Sequence, residues 1–383
     1  MTSPKRPTTT SNQSARLGLV LDGRYRLKAL HGGGGSAQVF EADDLRLGRA
    51  VAVKALLPER VGAVDAVRRL EREGLIAGAL SHLNLCAVND MGCLPDGSPY
   101  LVMDLLSGES LGSLLEREAP LDLSKAVRIL DQVACGLGAA HERGFLHRDL
   151  KPGNVFLVPL GSDGFLVKLL DFGAAFDRSA PAEGEEPLTK VGFVVGTPMY
   201  LSPEQVQGQR DFDERTDVYA CGLLLYEMVT GIRAFEGQEG ATLLESIALR
   251  GPRPAHELRD ALPKGLSRVI TKALARDRSA RFSTVQELRA ALNVAGRSSS
   301  PVAPRTDNTA ILSLFRSAAD GGASHVEDHE PVEHDPFEPD PFADDPYASS
   351  AGPTTRSPRL AGDDLPTVPR VPPPRRRPLG SQK

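Results

Sequence analysis

The stretch HERGFLHRDLKPGNVFL, residues 141–157, decides how the rest of the chain is read. Asp149, Lys151 and Asn154 stand close together in a loop, and an apolar strand follows them. A carboxylate that accepts a hydroxyl proton, an ammonium for a transferring phosphate and a carboxamide for a metal belong in one polar pocket. A loop with only a structural role does not need these residue types at this spacing. Further on, KLLDFGAAF (168–176) ends an apolar strand on Asp171, with Gly173 just beyond. A carboxylate at that point can hold a divalent cation bridging phosphates.

Upstream, HGGGGSAQVF (31–40) lies between two strand-like runs, RYRLKALHG and AQVFEADDL, and not before a helix. That disfavours a Rossmann turn, and no Gly-Lys-Ser/Thr follows to make a Walker loop. Four glycines suit a flexible linker, a plain hairpin tip, or a loop whose backbone closes over phosphates. In the last case side chains would block the approach, and Gly permits a positive-φ turn. Read by itself, the stretch does not choose among these. The next run, GRAVAVKALL, alternates as a strand and carries Lys54 among apolar neighbours, where a cation needs an anionic partner. Glu73, on the amphipathic helix VDAVRRLEREGLIAGALSH, can supply it. Arg68, Arg69, Glu71 and Arg72 crowd the same helix, so a solvated charged face is the competing reading of Glu73.

The chain has 383 residues, enough for one large or two medium domains. A net charge of -5 argues against general electrostatic binding to nucleic acid. Cys86, Cys93, Cys135 and Cys221 are scattered without CxxC spacing, which reads as reduced thiols in a cytoplasmic protein. No run reaches the ~20 apolar residues of a membrane span. The most apolar segment, DVYACGLLLYEMVTG, contains Asp217 and Glu227 and reads as a buried core helix. Residues 1–20 read as a disordered leader. A β-rich part with one helix covers about 21–106, and a larger helical part about 107–295, with a ligand cleft between them. From 296 to 383 Pro, Asp, Glu and Arg dominate, and the segment reads as a disordered tail.

Taken in order, these motifs resemble the eukaryotic-like Ser/Thr protein kinases, especially their bacterial branch, from Tyr25 to about Leu292. The resemblance implies an α+β bilobal protein kinase fold: a small lobe of antiparallel sheet plus one helix, and a larger, mainly helical lobe. It also implies ATP and Mg²⁺ as cofactors and protein Ser/Thr hydroxyls as acceptors. GGGGSAQV matches the glycine-rich loop, placing Gly32, Gly33, Gly34, Gly35, Ser36, Ala37 and Val39 at ATP. Lys54, held by Glu73, would orient the α- and β-phosphates. Met103 would be the gatekeeper, with Asp104 to Leu106 contacting adenine and Val39, Ala52 and Phe156 sandwiching it. Asp149 would position the acceptor hydroxyl, Lys151 would meet the γ-phosphate, and Asn154 and Asp171 would hold metal. GTPMYLSPE resembles the substrate-docking segment, with Thr197 in it; Asp217 would anchor the catalytic loop, and Arg281 would pair with Glu204. Lys151 and Thr197 match the Ser/Thr class. Two departures stand out: Ala37 replaces the third loop glycine, and Leu83 stands where relatives usually have Pro.

Arg148 in this family often pairs with a phosphate on the activation segment, and Thr189 is the first candidate phosphosite, ahead of Ser179. Glu183, Glu185 and Glu186 are partial substitutes for phosphate charge. The tail segments 325–347, with repeated DPF and DPY, and 370–380, Pro- and Arg-rich, are candidate docking sites for a soluble partner or plain spacers. Without a membrane helix or sensor domain, input is expected from such a partner or from self-association. The rival readings are a nucleotide-binding pseudokinase scaffold, a tail-based adaptor and, more distantly, a small-molecule kinase. Lys54, Asp149 and Asp171, whose loss marks pseudokinases, are all present.

Overall fold

The computed structural model describes residues 16–33, 35–162, 164–172, 176–177, 189–190, 193–194, 198–209 and 211–297. The chain divides into two units, Met1–Arg305 and Thr306–Lys383, and every described residue lies in the first. The tail and its candidate docking segments lie outside the described residues, as do Gly34, Ser179, Thr197 and the glutamates at 183, 185 and 186.

The small lobe is one antiparallel sheet of six strands: β1 (Val20–Leu21), β2 (Tyr25–Gly33), β3 (Ala37–Asp44), β4 (Arg49–Leu56), β5 (Val88–Cys93) and β6 (Pro99–Asp104). Their spatial order is β1-β2-β3-β4-β6-β5. The period of two sorts β4 between two faces. Val51, Val53 and Ala55 join Tyr25, Leu27, Phe40, Ala42, Tyr100 and Val102 in one core. Ala52, Lys54 and Leu56 alternate to the other face, where Leu56 packs with Leu101 and with Leu70 of helix α1 (Val64–Ala79). Gly74 of α1 lets the helix close on the sheet, since a Cβ there would come within 2.6 Å of Leu101 Cδ2.

The large lobe contains strands β7 (Glu109–Ser110), β8 (Phe145–Leu146), β9 (Val155–Leu160), β10 (Gly164–Leu169), β11 (Phe176–Asp177), β12 (Thr189–Lys190) and β13 (Phe193–Val194). Its helices are α2 (Leu111–Glu118), α3 (Leu123–His141), α4 (Pro203–Val206), α5 (Arg215–Thr230), α6 (Gly240–Glu245), α7 (Lys264–Ala273) and α8 (Val285–Arg297). Asp122 caps α3 by accepting from Ser124 N and Lys125 N, and Ser202 with Gln205 forms a capping box on α4. Every α5 residue after Arg215 is buried, so the apolar run reads correctly as a core helix. Gly231, in the left-handed region, ends it.

Three features depart from the sequence reading. The packed chain reaches back to Arg16, inside the expected leader, because β1 pairs with β2 and the Arg16 side chain is buried. The run TLLESIALR, whose pattern reads as a single helix, is one turn-and-a-half of α-helix followed by a π-helical turn, Ser246–Arg250. Gly32 and Gly33 do not adopt positive φ, and β2 pairs irregularly with β3, with register shifts between Leu27 and Ala29 and between Leu30 and Gly32.

Candidate functional site

The glycine-rich segment is the exposed end of β2 and the turn into β3, with Gly33 opposite Gln38 and Gly32 opposite Val39. A Cβ on Gly32 or Gly35 would meet nothing within 4 Å. The protein's own packing therefore does not require glycine at these two positions. Ser36 and Ala37 close the turn, with Ser36 O accepting from Leu57 N at 2.9 Å and Ala37 opposite Leu56.

Val39 pairs with Lys54, and Ala52 with Met103, so these four side chains follow one face of neighbouring strands. Met103, Asp104, Leu105 and Leu106 are half-buried where the sheet leaves for the large lobe. Asn89 Nδ2 donates to Asp104 Oδ1 at 2.9 Å. Below the crossover, Phe156 of β9 lies opposite Ser110. Gly108, in the connection, cannot carry a side chain: its φ is +143° and a Cβ would lie 2.0 Å from Leu157 O.

Lys54 Nζ donates to both Glu73 oxygens at 2.7 Å and lies 3.3 Å from Asp171 Oδ1. One ammonium thus faces two carboxylates, one from each lobe. Burial works against the Lys54 charge, yet Glu73 and Asp171 beside it hold its pKa above the usual value. Burial and then the Asp171 charge push Glu73 up to about 7, against the pull of Lys54. The helix reading of Glu73 as a solvated charge does not hold, since Glu73 is buried.

In the loop of the large lobe, Lys151 Nζ donates to Asp149 Oδ2 at 2.6 Å. Asn154 Nδ2 donates to Asp149 O at 2.8 Å and approaches Asp149 Oδ2 at 3.3 Å. Asn154 O accepts from Leu170 N at 2.9 Å, so the residues preceding Asp171 are tied directly to this loop. Arg148 and Asp171 both have positive φ, 63° and 62°, a strained conformation for non-glycine residues that the surrounding bonds hold.

Those bonds converge on Asp217, fully buried in the first turn of α5. It accepts from His147 N and Arg148 N, each at 2.9 Å, and pairs with His141 Nε2 at 2.7 Å. Burial opposes the Asp217 charge, but these partners hold its pKa below the ordinary value. His141 lies between Asp217 and Glu214, the latter at 3.5 Å; burial lowers its basicity, and the two carboxylates outweigh burial and push it up to about 9. Gln205 Nε2 donates to Arg148 O at 2.8 Å, and the Arg148 guanidinium stacks 4.5 Å from the Phe212 ring centroid. Deeper still, Arg281 grips both oxygens of Glu204 at 2.8 Å, and Thr216 Oγ1 donates to Glu204 Oε1 at 3.0 Å.

Two groups of the sequence-derived residues are thus tied together by the Leu170–Asn154 backbone bond: Lys54 and Glu73 with Asp171, and Asp149 with Lys151 and Asn154; Asp217 anchors the residues just before Asp149, and Arg281 pairs with Glu204. Thr189 lies in a short ladder opposite Val194. Gly34 and Thr197 lie outside the described residues. His141, Gln205 and Gly74 were not singled out in the sequence. The only hint was the placement of His141 in the last turn of an apolar helix. Among the described residues no group of three His, Cys, Asp or Glu could by itself hold a metal, and no helix is long and apolar enough to cross a membrane.

Residues 25–292 match the family model described as the protein kinase domain. Among curated proteins, the chain is 33% identical over 326 residues to Serine/threonine-protein kinase pkn3 of Myxococcus xanthus, covering 83% of this chain and 59% of that one. It is 38% identical over 273 residues to Serine/threonine-protein kinase PknA of Mycobacterium tuberculosis, covering 70% of this chain and 60% of that one. The chain thus spans about three fifths of the length of these relatives. Among solved structures, the kinase domain of Mycobacterium tuberculosis PknI superposes with a TM-score of 0.57 at 26% identity, covering 73% of this chain and 98% of that one.

Proposed function

Because the chain belongs to the protein kinase family, in its bacterial Ser/Thr branch, we propose that it transfers the γ-phosphoryl group of ATP to Ser or Thr hydroxyls of proteins. The observation that carries this reading is Lys54, bound at 2.7 Å to Glu73 and 3.3 Å from Asp171, whose neighbour Leu170 is bonded to Asn154 of the Asp149 loop. Catalysis of this kind is positioning and charge stabilisation, with little covalent chemistry for the protein.

Lys54 orients the α- and β-phosphates while Glu73 holds its ammonium. The bare space over Gly32 and Gly35 leaves room for phosphate oxygens to approach the backbone. Val39, Ala52 and Phe156 enclose the adenine, and Met103 to Leu106 line its edge. Asp149 accepts a hydrogen bond from the acceptor hydroxyl and takes its proton as the oxygen is phosphorylated. Lys151, now 2.6 Å from Asp149, shifts its ammonium toward the γ-phosphate.

Asn154 and Asp171 fit Mg²⁺. Both offer hard oxygen donors, and one or two carboxylate-type ligands completed by substrate phosphates suffice for this ion. The Leu170–Asn154 backbone bond keeps the two donors together. Held by Asn154 and Asp171, Mg²⁺ would supply charge neutralisation for the phosphates of the nucleotide.

Thr197 belongs to the acceptor-docking segment and Thr189 is the autophosphorylation site, with Arg148 the cation that receives its phosphate. Catalysis occupies 21–295 and the tail recruits partners through 325–347 or 370–380. The four cysteines are unpaired, which supports a reducing, cytoplasmic setting.

Intact-mass spectrometry of the full chain incubated with Mg²⁺ and ATP, beside an Asp149→Asn variant, tests the reading. Mass gains in steps of one phosphate, absent from the variant, are expected, and general-base loss costs about 10²–10⁴ in rate. ATP binding without any gain in either protein would move the reading to a pseudokinase scaffold. Peptide mapping of the active protein that leaves Thr189 unmodified would remove its assignment.

A further inference from the structure

We propose that Arg16 is a positioning residue for the nucleotide site: it fixes the end of β4, and with it the Ser36 end of the glycine-rich turn, relative to Lys54. The inference rests on the proposed function of that site.

Arg16 precedes the family match, which begins at residue 25, yet only 4% of it is exposed. A guanidinium is withdrawn from water only where strong acceptors converge on it. Here there are three. Nη1 donates to Leu56 O at 2.8 Å, and Nη2 donates to Asp96 Oδ2 and Ser98 Oγ, both at 2.7 Å. Ser98 is fully buried, and the β5–β6 turn that carries it is closed by Leu94 N donating to Ser98 O at 2.8 Å. The backbone leading from Arg16 is stitched to β2 by Gly18 N to Leu27 O at 2.8 Å and Leu27 N to Leu19 O at 2.9 Å.

Leu56 and Leu57 are therefore held from two sides. On one side is the Arg16 fork. On the other are Ala37, paired with Leu56, and Ser36, whose carbonyl accepts from Leu57 N at 2.9 Å. Lys54 lies two residues upstream on the same strand face as Leu56. Release of the Leu56 carbonyl frees the β4 end and the turn it anchors. The planar fork of arginine reaches three acceptors at once; a lysine ammonium on a flexible stem does not reproduce that geometry.

A role limited to stability and a positioning role give different kinetics. Full-length Arg16→Ala, Arg16→Lys and Asp96→Ala proteins are assayed for KM for ATP, KM for a protein acceptor, kcat and Tm, at a temperature well below every Tm. Arg16→Ala is expected to raise KM for ATP about fivefold, with kcat and acceptor KM within about twofold of the parent. Arg16→Lys falls between them. Asp96→Ala removes the only charged acceptor of the fork and is expected to raise KM for ATP in the same direction as Arg16→Ala, by less, because the Leu56 and Ser98 acceptors remain. A lower Tm with unchanged KM for ATP in Arg16→Ala would overturn the proposal. If that variant does not fold, parental KM for ATP in Arg16→Lys overturns it instead. A Lys54→Met control separates the two levels: parental transfer in that variant means the reading of the site itself has failed, whatever Arg16 does.

Discussion

Two buried ion pairs, one in each lobe, are built from similar parts and behave differently. In the large lobe Arg281 and Glu204 are saturated. Both carboxylate oxygens take a guanidinium nitrogen at 2.8 Å, Thr216 adds a third bond, and Arg281 also reaches Ala275 O and Arg215 O. Burial raises the Glu204 pKa, but Arg281 outweighs it and the net shift is downward. In the small lobe Lys54 is shared by Glu73 and Asp171, and Glu73 is pushed up to about 7. The first pair is complete within the protein. The second carries surplus negative charge in a cleft, where arriving phosphates and a cation would alter the balance. On the proposed function, the pair that serves the fold is satisfied and the pair that serves chemistry is left responsive.

The sharpest way to break this contrast is to remove the cation from each pair. Lys54→Met is expected to lower kcat/KM about 10³-fold while moving Tm by no more than about 2 °C. Glu73 already sits near 7 and can take a proton once its partner is gone, so little unpaired charge is left behind. Glu204 is further from that exit: its pKa lies below the ordinary value while Arg281 holds it, and only burial drives it up once Arg281 is gone. Arg281→Met therefore leaves a buried carboxylate unpaired, at a cost of about 3–5 kcal/mol. That is a fall in Tm of about 10 °C, with activity per folded molecule kept. Thermal denaturation and initial rates on the same preparations decide it, and a large Tm loss in Lys54→Met would erase the distinction.

A smaller and pH-dependent effect sharpens it. His141, raised from 6.5 to about 9 by Asp217 and Glu214 against burial, contributes stability that is complete below pH 6.5 and is lost as pH rises through about 9. At the acid end Asp217, whose pKa is lowered, keeps its contribution until pH falls below its ordinary value of 3.8. The full size is about 3 kcal/mol. His141→Gln keeps a donor for Asp217 but no charge. The Tm gap between it and the parent is expected to be widest at pH 5–6 and to close above about pH 9. A gap that does not vary with pH would mean that His141 is neutral and acts by packing alone.

The legibility of these parts follows from where their partners lie. Asp149, Lys151 and Asn154 are readable because their chemistry is concentrated in one loop. Lys54 is readable because a cation on an apolar strand face requires an anion. Glu73 is harder: its helix is crowded with charges, and what buries it is the close approach that Gly74 allows against Leu101, a fact of packing. Gln205 gave no signal, and His141 only its place in an apolar helix, because they meet partners 57 and 76 residues away. Arg16 gave none because it stands at the end of a polar, Ser/Thr-rich segment and its acceptors are 40 to 82 residues distant. The two-residue strands β1, β7, β8, β11, β12 and β13 are too short to leave an alternation. Alternation did place β2 to β4, helical periodicity placed α1, and the apolar run placed α5.

The smallest expected effect addresses the glycines. Gly108 has a reason internal to the fold, since a side chain there would collide with Leu157 O. Gly32 has none: its φ is not positive, and an added Cβ would meet nothing within 4 Å. By packing alone, Gly32→Ala should raise stability by about 0.4–1 kcal/mol, because alanine restricts the unfolded chain more than glycine does. If the space above Gly32 exists for phosphate oxygens, the same methyl group should weaken ATP binding about threefold even as Tm rises. Isothermal titration with ATP beside a melting curve reads both quantities. A stabilised protein with weaker ATP binding would place the reason for the glycine in the ligand. A stabilised protein with parental affinity would place it in neither the fold nor the nucleotide, and would leave Lys54, held by Glu73, as the small-lobe contribution to phosphate binding.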